Sequence, residues 1–188
     1  MTSLSFVYRN RGFTLVEIIL VILVITILAS TLLPKLMGAP ARARDAGRIN
    51  ELSSLELALQ SYYNDHGSFP ASSGGTCLNP SSGVGGALIS NGYFLTSNFP
   101  KDPSQQNTTG GKCTSSSAGL YYYKSLTHNG ISNNAFVLVA GVENPQKANA
   151  STTCVWASNT VSAIDTCLQS GAGNATGAQA IFAKLGGI

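Results

Sequence analysis

The sequence predicts an α+β fold. One long N-terminal helix, apolar in its first half and amphipathic in its second, packs on a small antiparallel sheet stapled by disulfides. Three observations carry this. Phe13 to Leu33 is an almost unbroken apolar run. Ile49, Leu52, Leu55, Leu59 and Tyr62 recur at spacings of three and four, which is one apolar stripe on a helix. The residues beyond 64 are rich in Gly, Ser, Thr and Asn, contain strand-forming runs and hold all four cysteines. The division that follows is a short basic segment over 1–12, a long helix over 13–63 with a membrane-spanning part at 13–33, and a globular head over 64–188.

Arg9 and Arg11 are the charges of the first segment and supply two of the three net positive charges of the chain. They hold the N-terminus on the cytoplasmic side while the rest passes outward. The 21 residues from Phe13 to Leu33 reach about 32 Å as a helix, against a bilayer core of about 30 Å. No A-x-A cleavage site follows the run, so it does not read as a secretory signal that is removed. Glu17 is the anomaly. An ionised carboxylate in a membrane helix costs about 2–3 kcal/mol unless it finds a partner.

Gly12-Phe13-Thr14-Leu15-Val16-Glu17 resembles the processing site of bacterial type IV prepilins and of the pseudopilins of type II secretion. The resemblance implies a pilin-like fold and makes residues 1–12 a prepilin leader. It implies that a membrane peptidase cuts between Gly12 and Phe13 and that the new amine of Phe13 is N-methylated. It also implies that Glu17 pairs with such an amine on a neighbouring subunit and so sets axial register. Two charges that are costly alone neutralise one another in an apolar filament core.

Pro34, Gly38 and Pro40 should break or kink the helix, because proline removes a backbone hydrogen bond and crowds the preceding turn. The resemblance implies local melting of this stretch in a packed filament. The amphipathic half runs from Ala41 and should end at Asn64 to Gly67, with Pro70 beyond. Arg42, Arg44 and Arg48 lie just outside the membrane. Lipid headgroups, a neighbour's acids and simple solvation all remain open for them.

The head begins as a loop through Ser68-Phe69-Pro70 and an irregular segment around residues 74–86. Ala87 to Gly92 reads as a short helix. Leu120 to Leu126 and Ala135 to Val142 read as an antiparallel hairpin with a loop longer than the two-residue type. A third strand is expected to include Cys154 to Trp156, and a short terminal helix to cover Ala178 to Leu185. Gly-Ser-Phe-Pro from Gly67, Gly-Tyr-Phe-Leu from Gly92 and Phe-Pro-Lys-Asp-Pro from Phe99 resemble the order of landmarks in pseudopilins and short pilins. Tyr121 to Tyr123 should alternate between the two sheet faces.

Cys77, Cys113, Cys154 and Cys167 all follow the membrane segment, so an even count in a translocated domain reads as two disulfides. Three connectivities are open; sequential pairing closes the shortest loops. Zinc is disfavoured because no C-x-x-C spacing occurs. Asp102 is the candidate metal carboxylate, since its loop resembles the calcium loop of the major pseudopilin, with carbonyls of 103–119 needed to complete a shell. The bland alternative is an Asp opening a turn before Pro103.

No catalytic constellation, P-loop or dinucleotide fingerprint is present, and His66 and His128 read as turn residues. Overall charge points to no nucleic-acid partner. The expectation is therefore a non-enzymatic structural subunit of a type IV pilus, serving adhesion, twitching motility or DNA uptake. It would sit in the cytoplasmic membrane before assembly and on the cell surface afterwards. Its partners would be further copies in a helical filament, the prepilin peptidase and the assembly machinery of that membrane. The alternatives are a type II secretion pseudopilin and a monomeric membrane-anchored binding domain.

Overall fold

The computed structural model describes residues 12–36, 38–72, 74–103, 113, 120–150, 152–169 and 181–187. The leader up to Arg11, most of the loop after Pro103 and residues 170–180 lie outside that description, as does the part of the expected terminal helix that precedes Ile181. The chain divides into two compact units, one ending at Ala39 and the other beginning at Pro40.

The first unit is helix α1, Leu15–Leu36. Thr14 takes the N-cap position: its Oγ1 accepts the Glu17 N–H at 3.3 Å and its carbonyl accepts the Ile18 N–H. Ser30, Thr26 and Thr31 return their hydroxyls to carbonyls three residues back, so these three hydroxyls are satisfied within the helix. Pro34 lies inside the last turn of α1, and the turn at Gly38 separates it from α2, Ala39–His66. Pro40 falls in the first turn of α2, where its missing N–H costs nothing. The apolar and amphipathic halves are thus two helices, and α2 groups with the head.

Gly67, at φ 71°, closes α2 and donates its N–H to Tyr63 O at 2.8 Å. The second unit then builds a four-stranded antiparallel sheet in the order β1 (Thr76–Cys77), β2 (Tyr122–His128), β3 (Ile131–Gly141), β4 (Ile181–Gly186). β2 and β3 join through Asn129-Gly130, with φ 50° and 78° and His128 opposite Ile131. The loop is therefore the two-residue type I′ turn that Asn-Gly favours, not the longer loop the sequence reading expected. The polar Ser132, Asn133 and Asn134 had disguised the start of β3.

Two cores sandwich the sheet. On one face Leu52, Leu55 and Leu59 of α2, with Val84 and Leu88 of α3 (Gly83–Ser90), pack on Tyr121, Tyr123, Phe136 and Leu138. On the other, Val155 of α4 (Thr152–Ala157) and Val161 and Ile164 of α5 (Val161–Gln169) pack on Tyr122, Leu126, Val137 and Val139. The tyrosines alternate as strand geometry requires, and all three are buried.

Three local expectations are corrected. Cys154 to Trp156 lie in helix α4, and residues 181–185 form strand β4 paired to β3 along its length. Burial against α5 and pairing with β3 override the local preferences of these short segments. Gly83 to Gly86 are helical rather than irregular. Gly85 is needed there because a Cβ would fall 2.3 Å from Asn79 O. The disulfides are Cys77–Cys113, tying β1 to a residue ahead of β2 in the chain, and Cys154–Cys167, tying α4 to α5. The sequential pairing stands.

Candidate assembly site

Gly12, Phe13 and Thr14 are non-helical and exposed, because the Thr14 cap starts the helix at Leu15. The Gly12–Phe13 peptide therefore lies outside the helix, immediately before α1. Glu17 follows in the first turn, where a negative charge favours the helix dipole.

Among the described residues, no side chain of α1 is buried. Leu15 to Leu32 is long and apolar enough to cross a bilayer, and none of it is buried. Phe13 is 78% exposed, and Leu20, Leu23, Ile25 and Leu28 are each more than half exposed. At about 25 cal/mol per Å² of apolar surface, such a helix is stable only in lipid or against other helices.

The acidic side chains set Glu17 apart. Asp45 and Asp102 pair with Arg48, Glu143 with Arg44 and Arg48, and Glu56 with Lys184. Glu51 and Asp65 accept hydrogen bonds from the Tyr121 and Tyr93 hydroxyls, and Asp165 accepts one from Gln169. These are seven of the eight acids in the chain. Glu17, the eighth, has no side-chain partner among the described residues.

Arg48 is the centre of a buried ionic cluster that sequence reasoning missed. It had been grouped with Arg42 and Arg44 as a membrane-proximal surface charge; Arg42 is exposed, but Arg48 and Asp45 are fully buried. Nε and Nη2 of Arg48 donate to the two oxygens of Asp102 at 2.6 and 3.0 Å. Nη1 donates to Asp45 at 2.6 Å and Nη2 to Glu143 at 2.8 Å. Asp45 also accepts the backbone N–H groups of Glu143 and Asn144. Burial opposes the Arg48 charge, but the bonds to Asp102 and Glu143 outweigh it and hold its pKa above the ordinary guanidinium value. Glu143 is pushed down to about 2, first by the bond from Arg44, with burial opposing and Arg48 adding. The available signal was spacing: Asp45 and Arg48 continue the inward stripe of Leu52, Leu55 and Leu59.

Asp102, the candidate calcium ligand, faces this guanidinium. Among the described residues no three Cys, His, Asp or Glu side chains gather as a metal site.

Residues 8–33 match the family model described as the prokaryotic N-terminal methylation motif. The chain is similar to the type II secretion system core protein G of Pectobacterium carotovorum subsp. carotovorum, 41% identical over 68 residues, covering 36% of this chain and 44% of that protein. The protein of the same name from Escherichia coli (strain K12) is 39% identical over 67 residues, covering 36% and 46%. The type IV major pilin protein PilE1 of Neisseria gonorrhoeae is 31% identical over 80 residues, covering 43% and 37%. The chain thus spans less than half the length of these relatives. No solved structure matches it.

Proposed function

We propose that this chain is a structural, non-catalytic subunit of a helical pilin-type filament. It is cleaved between Gly12 and Phe13 by a prepilin peptidase, methylated on Phe13 and drawn from the cytoplasmic membrane by an assembly machine. The observation that carries the reading is α1 itself: an apolar helix with no buried side chain over Leu15–Leu32, holding the single acid without a side-chain partner among the described residues. Phe13 to Leu33 would form the filament core. Glu17 would meet the Phe13 amine of a neighbouring copy, and the break at Gly38, with Pro34 and Pro40 on either side, would let α1 adjust to its packing.

The type II secretion pseudopilus is the favoured setting, because the core protein G relatives are the more similar. The surface pilus is the second reading, supported by the match to the Neisseria pilin. Gly12→Val should block processing by placing a branched side chain at the cut. Mass spectrometry of assembled wild-type material should find a chain starting at methylated Phe13; assembled chains that keep residues 1–12 overturn the proposal. Deleting the gene separates the settings: loss of protein secretion marks a pseudopilus, and loss of filaments seen by electron microscopy marks a pilus.

A further inference from the structure

A pocket of about 450 Å³ opens where the last turns of α2 meet the β2–β3 turn. Gln60, Tyr63 and Asn64 form one wall, and His128, Asn129 and Asn134 form another. Phe69 and Gly187 complete it. Gly187 is required there: its φ is 84°, and a Cβ would fall 2.3 Å from the Phe69 ring.

The chemistry of this lining is uniform. It contains no Asp, Glu, Lys or Arg. It presents four carboxamides beside the half-buried Tyr63 ring, with buried Phe69 as the floor, its ring centroid 4.7 Å from that of Tyr63. The Tyr63 hydroxyl donates to Asn134 Oδ1 at 2.9 Å, which fixes both side chains. Gln60, Asn64 and Asn129 are exposed, and their carboxamides have no protein partner among the described residues.

We infer that this pocket binds an uncharged sugar, one or two pyranose rings in size. A carboxamide offers a donor and an acceptor side by side, the pattern that adjacent hydroxyl groups complement. Aromatic faces suit the apolar C–H faces of a pyranose. An anionic ligand would find no Lys or Arg in the lining, and a cationic one no carboxylate. The size falls within the range of small-molecule sites, which combine aromatic walls with a few fixed polar groups. The inference concerns the head surface and does not depend on whether the filament is a pilus or a pseudopilus.

The test uses the full chain in lipid nanodiscs, because glycoside detergents would compete. Saturation-transfer NMR is run against methyl glycosides of glucose, galactose, mannose and N-acetylglucosamine, with glucuronate and glucose 6-phosphate as charged probes. At least one neutral glycoside should bind with a dissociation constant on the order of 1 mM, and the charged probes should not. Gln60→Ala with Asn64→Ala removes two exposed groups and should raise that constant about tenfold, with circular dichroism unchanged. Absence of binding across the neutral panel overturns the inference. So does preferential binding of a charged probe, or an unaltered constant in the double variant. A pocket filled instead by a second copy, seen as His128 and Asn129 resonances that shift with protein concentration and not with glycoside, also overturns it.

Discussion

Arg48→Met tests whether the buried ionic cluster holds the head closed. The substitution keeps the volume and removes the charge, leaving Asp45 and Asp102 buried without the guanidinium they face. The four charge-assisted hydrogen bonds it makes to described carboxylates disappear with it. Asp45 retains two backbone donors, from Glu143 and Asn144, so its loss is the smaller one. Asp102 loses a two-pronged partner. Removing one side of a buried ion pair costs about 3–5 kcal/mol, a large share of the 5–15 kcal/mol that stabilises a typical domain. The assay is urea unfolding of the full chain in nanodiscs, followed by Trp156, the one tryptophan, which packs on Tyr122 inside the second core. Arg48→Lys should cost less than Arg48→Met, because a single ammonium keeps the charge but not the fork. Adding Asp45→Asn and Asp102→Asn to Arg48→Met should recover part of the loss, since no buried charge is then left unpaired. A destabilisation by Arg48→Met below about 1 kcal/mol, the value of an exposed pair, would refute the reasoning.

Glu17→Leu should leave membrane levels and Gly12 cleavage intact, since it removes a charge costing about 2–3 kcal/mol in lipid, while sharply reducing filaments in cells without a wild-type copy. Filament yield by shearing and electrophoresis reads this, and wild-type yield removes Glu17 from the assembly mechanism. Glu143 has its folded pKa depressed to about 2 from an ordinary 4.5, so its contribution is complete above about pH 4.5 and is lost as pH falls toward 2. Acid unfolding of Glu143→Gln should show a shallower pH dependence in that window than wild type, and an identical slope refutes the assignment. Millimolar EDTA should leave the melting temperature of the head unchanged within about 1 °C, because Arg48 pairs with Asp102; a larger drop that calcium reverses would give Asp102 a metal role.

Much of this architecture is written locally. The apolar run dictates α1, a spacing of three and four dictates α2, and the short loops of sequential pairing favoured the disulfides that the structure holds. Asn129-Gly130 was legible too, as the strongest two-residue turn signal, and only the polar opening of β3 obscured it. What could not be read is what distant segments supply. Cys154-Val155-Trp156 has strand-like residues but becomes helical because the Cys154–Cys167 bridge and the second core hold it against α5. Residues 181–185 contain alanine and leucine, yet β3 offers an unpaired edge that they complete. Lys124 carries a charge in mid-strand but is buried, donating to the carbonyls of Trp156 and Ser158 at the end of α4. In the candidate site, Gly12, Phe13 and Glu17 were legible as a contiguous motif. The Arg48 cluster was not, because Asp102 and Glu143 lie 54 and 95 residues away.

One electrostatic rule connects the two units. A carboxylate removed from water needs a cation or several donors, whatever the surrounding medium. In the head the chain supplies these itself: three carboxylates converge on Arg48, Glu56 meets Lys184, and the remaining acids find hydroxyl or amide donors. That closure lets the head fold around its own charges. On α1 the same rule is left unmet, because Glu17 sits on an exposed apolar surface with no described cation beside it. Lys35 is 18 residues further along the same helix, about 27 Å at 1.5 Å per residue, so it cannot serve within one chain. Under the proposed assembly, the neutralising charge would come from another molecule, as the amine at the start of a second α1 displaced along the axis.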